Sequence, residues 1–433
     1  MKHLCAIIIL TAFALTAKAQ LYFPPKTSST WDTISPAALG WCESKIDSLY
    51  SFLEAENTKA FILLKDGKIV LEEYFNGHSA TSNWYWASAG KTLTAFMVGM
   101  AQQEQFLKIT DTTSTYLGKG WTACTPAQEE KITIWHQLTM TTGLNDDVTD
   151  HHCTLDTCLQ YLADAGTRWA YHNAPYTLLG DVIAKATGKT LNQYTTQQLL
   201  TTIGMNGLYI NNGYNNVFYS NARSMARFGL LILNKGNWNG NQILTDTEYF
   251  DDMVNTSQNI NESYGYLWWL NGKDSHMIPQ TRKIYNGSMA PNAPDDMIAA
   301  LGKNGQFINV VPSQNMVWIR MGNKPENSTV SLTLNNDIWG YINELNCDPL
   351  SSFPIELNNQ EIQVYPNPVS NDVIIKHYHH NSAIAYKLFN NAGQLLKRGT
   401  SYGRINLSQY KAGPYYITLC DGNSTKTIKV IKE

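Results

Sequence analysis

The chain is poor in charge. Only 15% of its 433 residues are Asp, Glu, Lys or Arg, and the formal net charge is −3. No basic stripe or acidic tail stands out, which argues against nucleic acid or an anionic membrane as a partner. Metal-ligand spacing is missing too: no C-x-x-C joins any two cysteines, and no H-E-x-x-H occurs. His151, His152 and Cys153 adjoin, and His377, His379 and His380 cluster near the end, but no second ligand pair stands at metal distance. Both groups read as solvated loops, and neither a metal nor another cofactor is expected. Beyond the first residues no apolar run is long enough to span a bilayer, so no transmembrane anchor is expected. What the chain has in quantity is apolar residues, 43% of the total, enough for a substantial core.

Residues 1–19 read as a signal peptide. Lys2 supplies the positive start, residues 4–15 the apolar stretch, and Ala17-Lys18-Ala19 a cleavage site. Export exposes the remaining cysteines to an oxidising compartment, where disulfides form.

The stretch that organises the chain is Trp84-Tyr85-Trp86-Ala87-Ser88-Ala89-Gly90-Lys91 and the apolar residues 92–100 behind it. It reads as a buried helix with a serine at its start. Lys91 lies one turn beyond Ser88 on the same face. A serine hydroxyl is a weak nucleophile until a base takes its proton, and an amine of lowered pKa can be that base. Ser-x-x-Lys is short, and a second copy stands at Ser408 and Lys411. Context separates them, because only the first copy opens an apolar helix.

In chain order, residues 36–56 predict a helix. Residues 60–64 and 69–74 around Asp66-Gly67 predict a hairpin. Residues 104–235 read as mostly helical, with a short helix from Ile132 stopped by Gly143, an amphipathic helix over 176–186 ended by Gly188, and another over 222–233. Past residue 264 the pattern turns β-rich. Strands are expected over 265–270, 307–311 and 316–321, then a closing helix over 337–345. A domain over 20–350, a linker over 351–361 and a second domain over 362–433 follow. The last carries short strands over 373–376, 385–390, 405–407 and 415–419, the signature of a small β-sandwich.

Two further boxes fall in order after Ser88. Tyr-x-Asn occurs seven times. The copy at Tyr171 and Asn173 is singled out by lying in a loop before a helix. Its phenol, beside a lysine, is expected to hold a lowered pKa and shuttle a proton, and Asn173 to orient Lys91 and a substrate carbonyl. Then come Lys303, Asn304, Gly305 and Gln306, entering a strand. The N–H of Gln306 is the expected second oxyanion donor beside that of Ser88, and Gly305 admits substrate to the backbone.

Ser88-Ala-Gly-Lys91, Tyr171-His-Asn173 and Lys303-Asn-Gly305 together resemble the serine β-lactamase/penicillin-binding-protein superfamily. The nearer likeness is to its class C-related branch, which includes esterases and hydrolases of aminohexanoate oligomers. The resemblance implies an α/β fold: an antiparallel sheet flanked by helices plus an all-helical subdomain, with the site in the cleft between. It implies a serine hydrolase acting on a small-molecule or peptide-like amide or ester. It leaves open a D,D-peptidase, a β-lactamase, or a silent surface binder of the same fold. Asn304 stands where that family often has Thr or Ser, and its backbone is expected to matter more than its side chain. The likeness also implies that Cys42, in the first helix, pairs with Cys347, after the last. Cys153–Cys158 is the second expected pair. Residues 364–432, from Val364-Tyr-Pro-Asn-Pro368 to Lys429-Val-Ile-Lys432, resemble a type IX secretion sorting domain, which implies the type IX machinery as a partner and delivery outside a Gram-negative cell by way of the periplasm.

Overall fold

A computed structural model describes residues 21–323, 330–347, 355–356, 362–377, 384–401, 403–421 and 424–433. The expected signal peptide, most of the expected linker, and His379 and His380 lie outside the described residues. The chain divides into two compact units, Met1–Asn346 and Cys347–Glu433.

The first unit is built on one antiparallel sheet. Its strands are β1 (Thr58–Lys65), β2 (Lys68–Tyr74), β6 (Trp269–Leu270), β7 (Ile298–Gly302), β8 (Gln306–Val311) and β9 (Met316–Gly322), in the order β2-β1-β9-β8-β7-β6. β1 and β2 join through Asp66 and Gly67, both at positive φ (52° and 81°), as a two-residue hairpin turn demands. β1 then pairs with β9, so the first and last strands of the domain are neighbours. Every residue of β8 and β9 is buried, which requires helices on both faces. One face carries α6 (Ala222–Leu233), whose Gly229 allows the approach: a Cβ there would stand 2.6 Å from Val317 and 3.0 Å from Ile308. The other carries α1 (Glu43–Ala55) and α7 (Leu332–Asn343), with Phe52 stacked on Tyr341 and Trp339 edge-on to Trp318.

Between β2 and β6 lies the mostly helical part. It contains α2 (Gly90–Gln103), α3 (Ile134–Leu138), α4 (Asn173–Thr177) and α5 (Leu179–Thr187), the last capped by Gly188 at φ 70°. Several expected elements are shorter or split, for local reasons. Gly40, at φ 73°, separates a short 3-10 turn from α1. Met140, at φ 59°, ends the helix short of the stop expected at Gly143, and Leu267, at φ 61°, confines the expected strand over 265–270 to its last two residues. A hairpin also stands where helix was expected. β4 (Leu208–Asn212) and β5 (Asn215–Ser220) join β3 (Trp84–Tyr85) in the order β3-β5-β4.

The Cys153–Cys158 pair is formed, and Cys42 and Cys347 are each disulfide-bonded. Among the described residues no helix is long and apolar enough to cross a membrane.

The second unit has strands in two sheets. One orders Ile355–Glu356, Ser424–Lys432, Gly413–Asp421, Ile384–Asn390 and Leu395–Ser401, and the other Ile362–Tyr365, Asp372–His377 and Arg404–Asn406. It has its own core, including Val373, Leu388, Ile405, Leu407, Ile417 and Val430. Each unit closes a core of its own, so a chain ending near residue 350 should fold alone. Its near-UV spectrum should keep the aromatic signature of the first unit, and loss of a cooperative melt on truncation would contradict this.

Candidate active site

Ser88 sits in a 3-10 turn, Ala87–Ala89, that feeds directly into α2. The turn is held from several sides. The N–H of Trp86 donates to the carbonyl of Phe218, and its indole donates to Ser220 Oγ at 2.8 Å, so hairpin β4–β5 buttresses the Ser88 turn. Ala87 has φ 46°, a left-handed conformation that costs a non-glycine residue about 1 kcal/mol. Such strain is found where surrounding packing over-determines the backbone, typically at functional turns.

From Gly90 to Ala101 every residue of α2 is buried, so Lys91 is carried into the interior. Its Nζ donates to Ser88 Oγ at 3.0 Å. Burial, with no opposite charge to offset it, lowers the pKa of Lys91 to about 7. Two rings border the amine. The Tyr171 centroid is 5.1 Å from Nζ and that of Tyr176 is 4.2 Å. An amine with that pKa is largely unprotonated just above neutrality and can take the serine proton.

Tyr171 does not behave as expected. Its pKa is raised rather than lowered, because burial outweighs the opposing hydrogen bond from Ser88 and Lys91 contributes no compensating charge. It is therefore a phenol, a proton donor and not a standing phenolate. Its ring is fixed by stacking on Trp269, with centroids 5.8 Å apart, and by edge contact with Tyr264. Asn173 is the first residue of α4 and is buried, but among the described residues its amide makes no hydrogen bond to Lys91. Among the described residues His172, between them, has neither ring nitrogen partnered, and burial lowers its pKa to about 4, so it stays neutral.

The third box enters a strand at Gln306, as expected. Lys303, Asn304 and Gly305 are the turn between β7 and β8, and Lys303 is exposed. Contact with the Ser88 turn is made by Gly302, where a Cβ would stand 2.6 Å from the Trp86 carbonyl oxygen and 3.0 Å from the Ala89 nitrogen. Gln306 is not the free donor that was expected. It pairs with Gly302 across the hairpin, and its buried side chain is bonded to both backbone groups of Gly322.

Strand geometry shows which backbone groups remain. Successive residues of a strand direct their N–H and C=O to opposite edges. The carbonyl of Met297 accepts from Asn271 on the β6 side, and that of Gly302 accepts from Gly305 on the β8 side. Odd-numbered residues of β7 thus face the β6 edge. β6 pairs only as far as Ala299, so Leu301 and Lys303 face an edge left open.

Asn304 also differs from expectation. Its side chain donates to the Tyr85 hydroxyl at 2.7 Å, and its φ is 63°. Both side chain and backbone are committed there. The residues that sequence reasoning missed are Ala87, Tyr176, Gly302 and Trp269. Tyr176 carried a readable signal, one helical turn after Asn173; the other three did not.

The profile of the β-lactamase family matches residues 54–336, and that of the secretion system C-terminal sorting domain matches residues 363–433. No curated protein sequence matches. Among solved structures, a putative 6-aminohexanoate-dimer hydrolase from Bacillus anthracis is similar at 21% identity and TM-score 0.56, covering 75% of this chain and 91% of its own. A putative beta-lactamase from Bacteroides dorei is similar at 15% identity and TM-score 0.55, covering 70% and 99%. A family VIII carboxylesterase is similar at 14% identity and TM-score 0.53, covering 70% and 97%.

Two expected outcomes follow from the geometry. Catalytic turnover should rise with pH through a midpoint near 7 and level off above it, because protonated Lys91 cannot accept a proton; a flat profile between pH 5 and 9 would exclude Lys91 as the base. Asn304→Gly should preserve the turn better than Asn304→Thr. Both variants lose the donor to Tyr85, but only a β-branched residue at φ 63° adds backbone strain, a further loss of about 1–2 kcal/mol readable in chemical denaturation.

Proposed function

The chain belongs to the β-lactamase family, and within it we propose an exported serine hydrolase that cleaves an amide or ester through a Ser88 acyl-enzyme. The observation that carries this reading is the 3.0 Å approach of Lys91 Nζ to Ser88 Oγ, with the amine's pKa brought to about 7. Unprotonated Lys91 takes the Ser88 proton as Oγ attacks the carbonyl carbon. The oxyanion lies between the N–H groups of Ser88 and Lys303, the second replacing the N–H of Gln306 on the strand-edge argument. Tyr171, held protonated by burial, gives a proton to the leaving nitrogen or oxygen and recovers one from Lys91. Water then attacks the acyl-enzyme, with the same groups acting in reverse.

The aromatic surroundings of Lys91 and the half-buried Trp84 and Tyr85 support an apolar acyl or amine portion in the substrate. The names of two structural neighbours, an aminohexanoate-dimer hydrolase and a carboxylesterase, agree with amide or ester chemistry. Residues 363–433 are a secretion sorting domain, which directs the protein to the cell surface or medium. We assign the hydrolase to residues 20–350, working independently of that domain.

Ser88→Ala should abolish both turnover and covalent labelling by a fluorophosphonate. Tyr171→Phe should lower turnover by roughly 100-fold or more while labelling persists, since the loss falls on proton delivery. A panel of p-nitrophenyl esters, short amides and β-lactams would show the substrate class. Full turnover by Ser88→Ala on every substrate the wild type accepts would overturn the reading.

A further inference from the structure

Arg320 is a charged side chain wholly inside the core. It lies on β9, in the face of the sheet covered by α1 and α7, with no exposed surface. Among the described residues no carboxylate forms an ion pair with it. A buried guanidinium is tolerated only when its N–H groups find acceptors. Here Nε donates to Thr58 Oγ1 at 2.8 Å and Nη2 to the Glu56 carbonyl at 2.6 Å. Nη1 donates to the carbonyls of Asn304 at 3.2 Å and Gly305 at 2.7 Å. One side of the planar fork is thus anchored where α1 passes into β1, and the other grips the β7–β8 turn.

The surroundings are cut to admit the fork. A Cβ on Gly305 would stand 2.3 Å from Nη1, and one on Gly322 would stand 2.5 Å from the guanidinium. The remaining carbonyl of the turn, that of Lys303, accepts from Gln306 Nε2 at 3.2 Å. Every carbonyl of the turn is therefore held by a buried side chain, while the Lys303 N–H faces the open edge of β7. A hairpin tip is usually among the more mobile parts of a sheet. This one is tied to the core from beneath.

We propose that Arg320 is a positioning residue for the reaction, fixing the Lys303–Gly305 turn so that the Lys303 N–H stays at the oxyanion position opposite Ser88. The proposal rests on the reading of Ser88 as the nucleophile. Oxyanion donors act through preorganisation, and a misplacement of about 1 Å can cost on the order of 100-fold in rate. Lysine cannot substitute, because a single ammonium does not span acceptors on both sides of a planar fork.

The test uses the full chain and the p-nitrophenyl ester it turns over fastest, with a fluorophosphonate as a label for Ser88. Arg320→Lys is expected to lower kcat by roughly 10-fold or more, with KM changed by less than about 3-fold. The pH midpoint near 7 should stay in place, because Lys91 is untouched. Thr58→Val removes only the Nε anchor, on the far side of the fork, and should lower kcat by about 3-fold. It decides the matter if Arg320→Lys does not fold. A wild type that neither hydrolyses any ester nor takes the label overturns the hydrolase reading and this inference with it. An active wild type whose folded variant keeps its kcat, loses only thermal stability, or moves the pH midpoint overturns the inference alone.

Discussion

A primary amine held out of water is the constraint on which the rest of the site depends. Lys91 reaches Ser88 because α2 is buried from Gly90 to Ala101, and α2 is buried because sheet, α5 and hairpin surround it. Its chemistry follows from the same fact. In water an amine at position i+3 from a serine is a cation with no capacity to accept a proton. Inside this domain, with aromatic rings and, among the described residues, no carboxylate paired with it, the charged form is penalised until the pKa nears 7. The same burial pushes Tyr171 in the opposite sense and keeps it a donor. One physical cause thus separates an acceptor from a donor within a few ångströms, without any ion pair between them.

The second requirement is backbone geometry rather than side-chain identity. β6 is short because Leu267 turns the chain at positive φ just before it, and its shortness leaves the end of β7 unpaired. The open edge, the absent side chain at Gly302 and the strained Ala87 bring the Ser88 turn and the strand end together. A longer β6 would occupy the N–H groups of Leu301 and Lys303 in the ladder.

What was legible in the sequence was what local chemistry determines. Asp66-Gly67 gave the hairpin because few residue pairs accept two positive φ values, and the apolar run after Ser88 gave a buried helix. The hairpin β4–β5 was also written locally, since Gly213-Tyr214, with Gly213 at positive φ, lies between two β-type runs, but it was masked by the helical character of the flanking chain. The third box enters its strand at Gln306 as read, but which of its backbone groups stay unpaired was not legible. Whether a strand N–H is free depends on which neighbour pairs with it and how far that neighbour extends, and this is a property of the assembled sheet. The phenol's pKa failed for a related reason: proximity to a lysine predicts lowering only if the lysine is charged. Arg320 gave no signal at all, because a lone arginine in an apolar strand does not announce which carbonyls it will meet.

Unfavourable local terms collect in one small volume of the molecule. Ala87 holds a left-handed backbone, burial disfavours the charged forms of Lys91 and Arg320, and among the described residues both ring nitrogens of His172 are buried without partners. Each such feature costs on the order of 1–3 kcal/mol, a sizeable share of the stability of an ordinary domain. The second unit shows the contrast: among its described residues Ser401 is the lone buried polar side chain, and its buried positions are otherwise apolar. A segment whose task is to be recognised for export has no need of desolvated ionisable groups. The first unit tolerates them because its sheet is covered on both faces and its core runs through every layer, so that the packing energy of the whole domain holds a few groups in states they would not adopt in water.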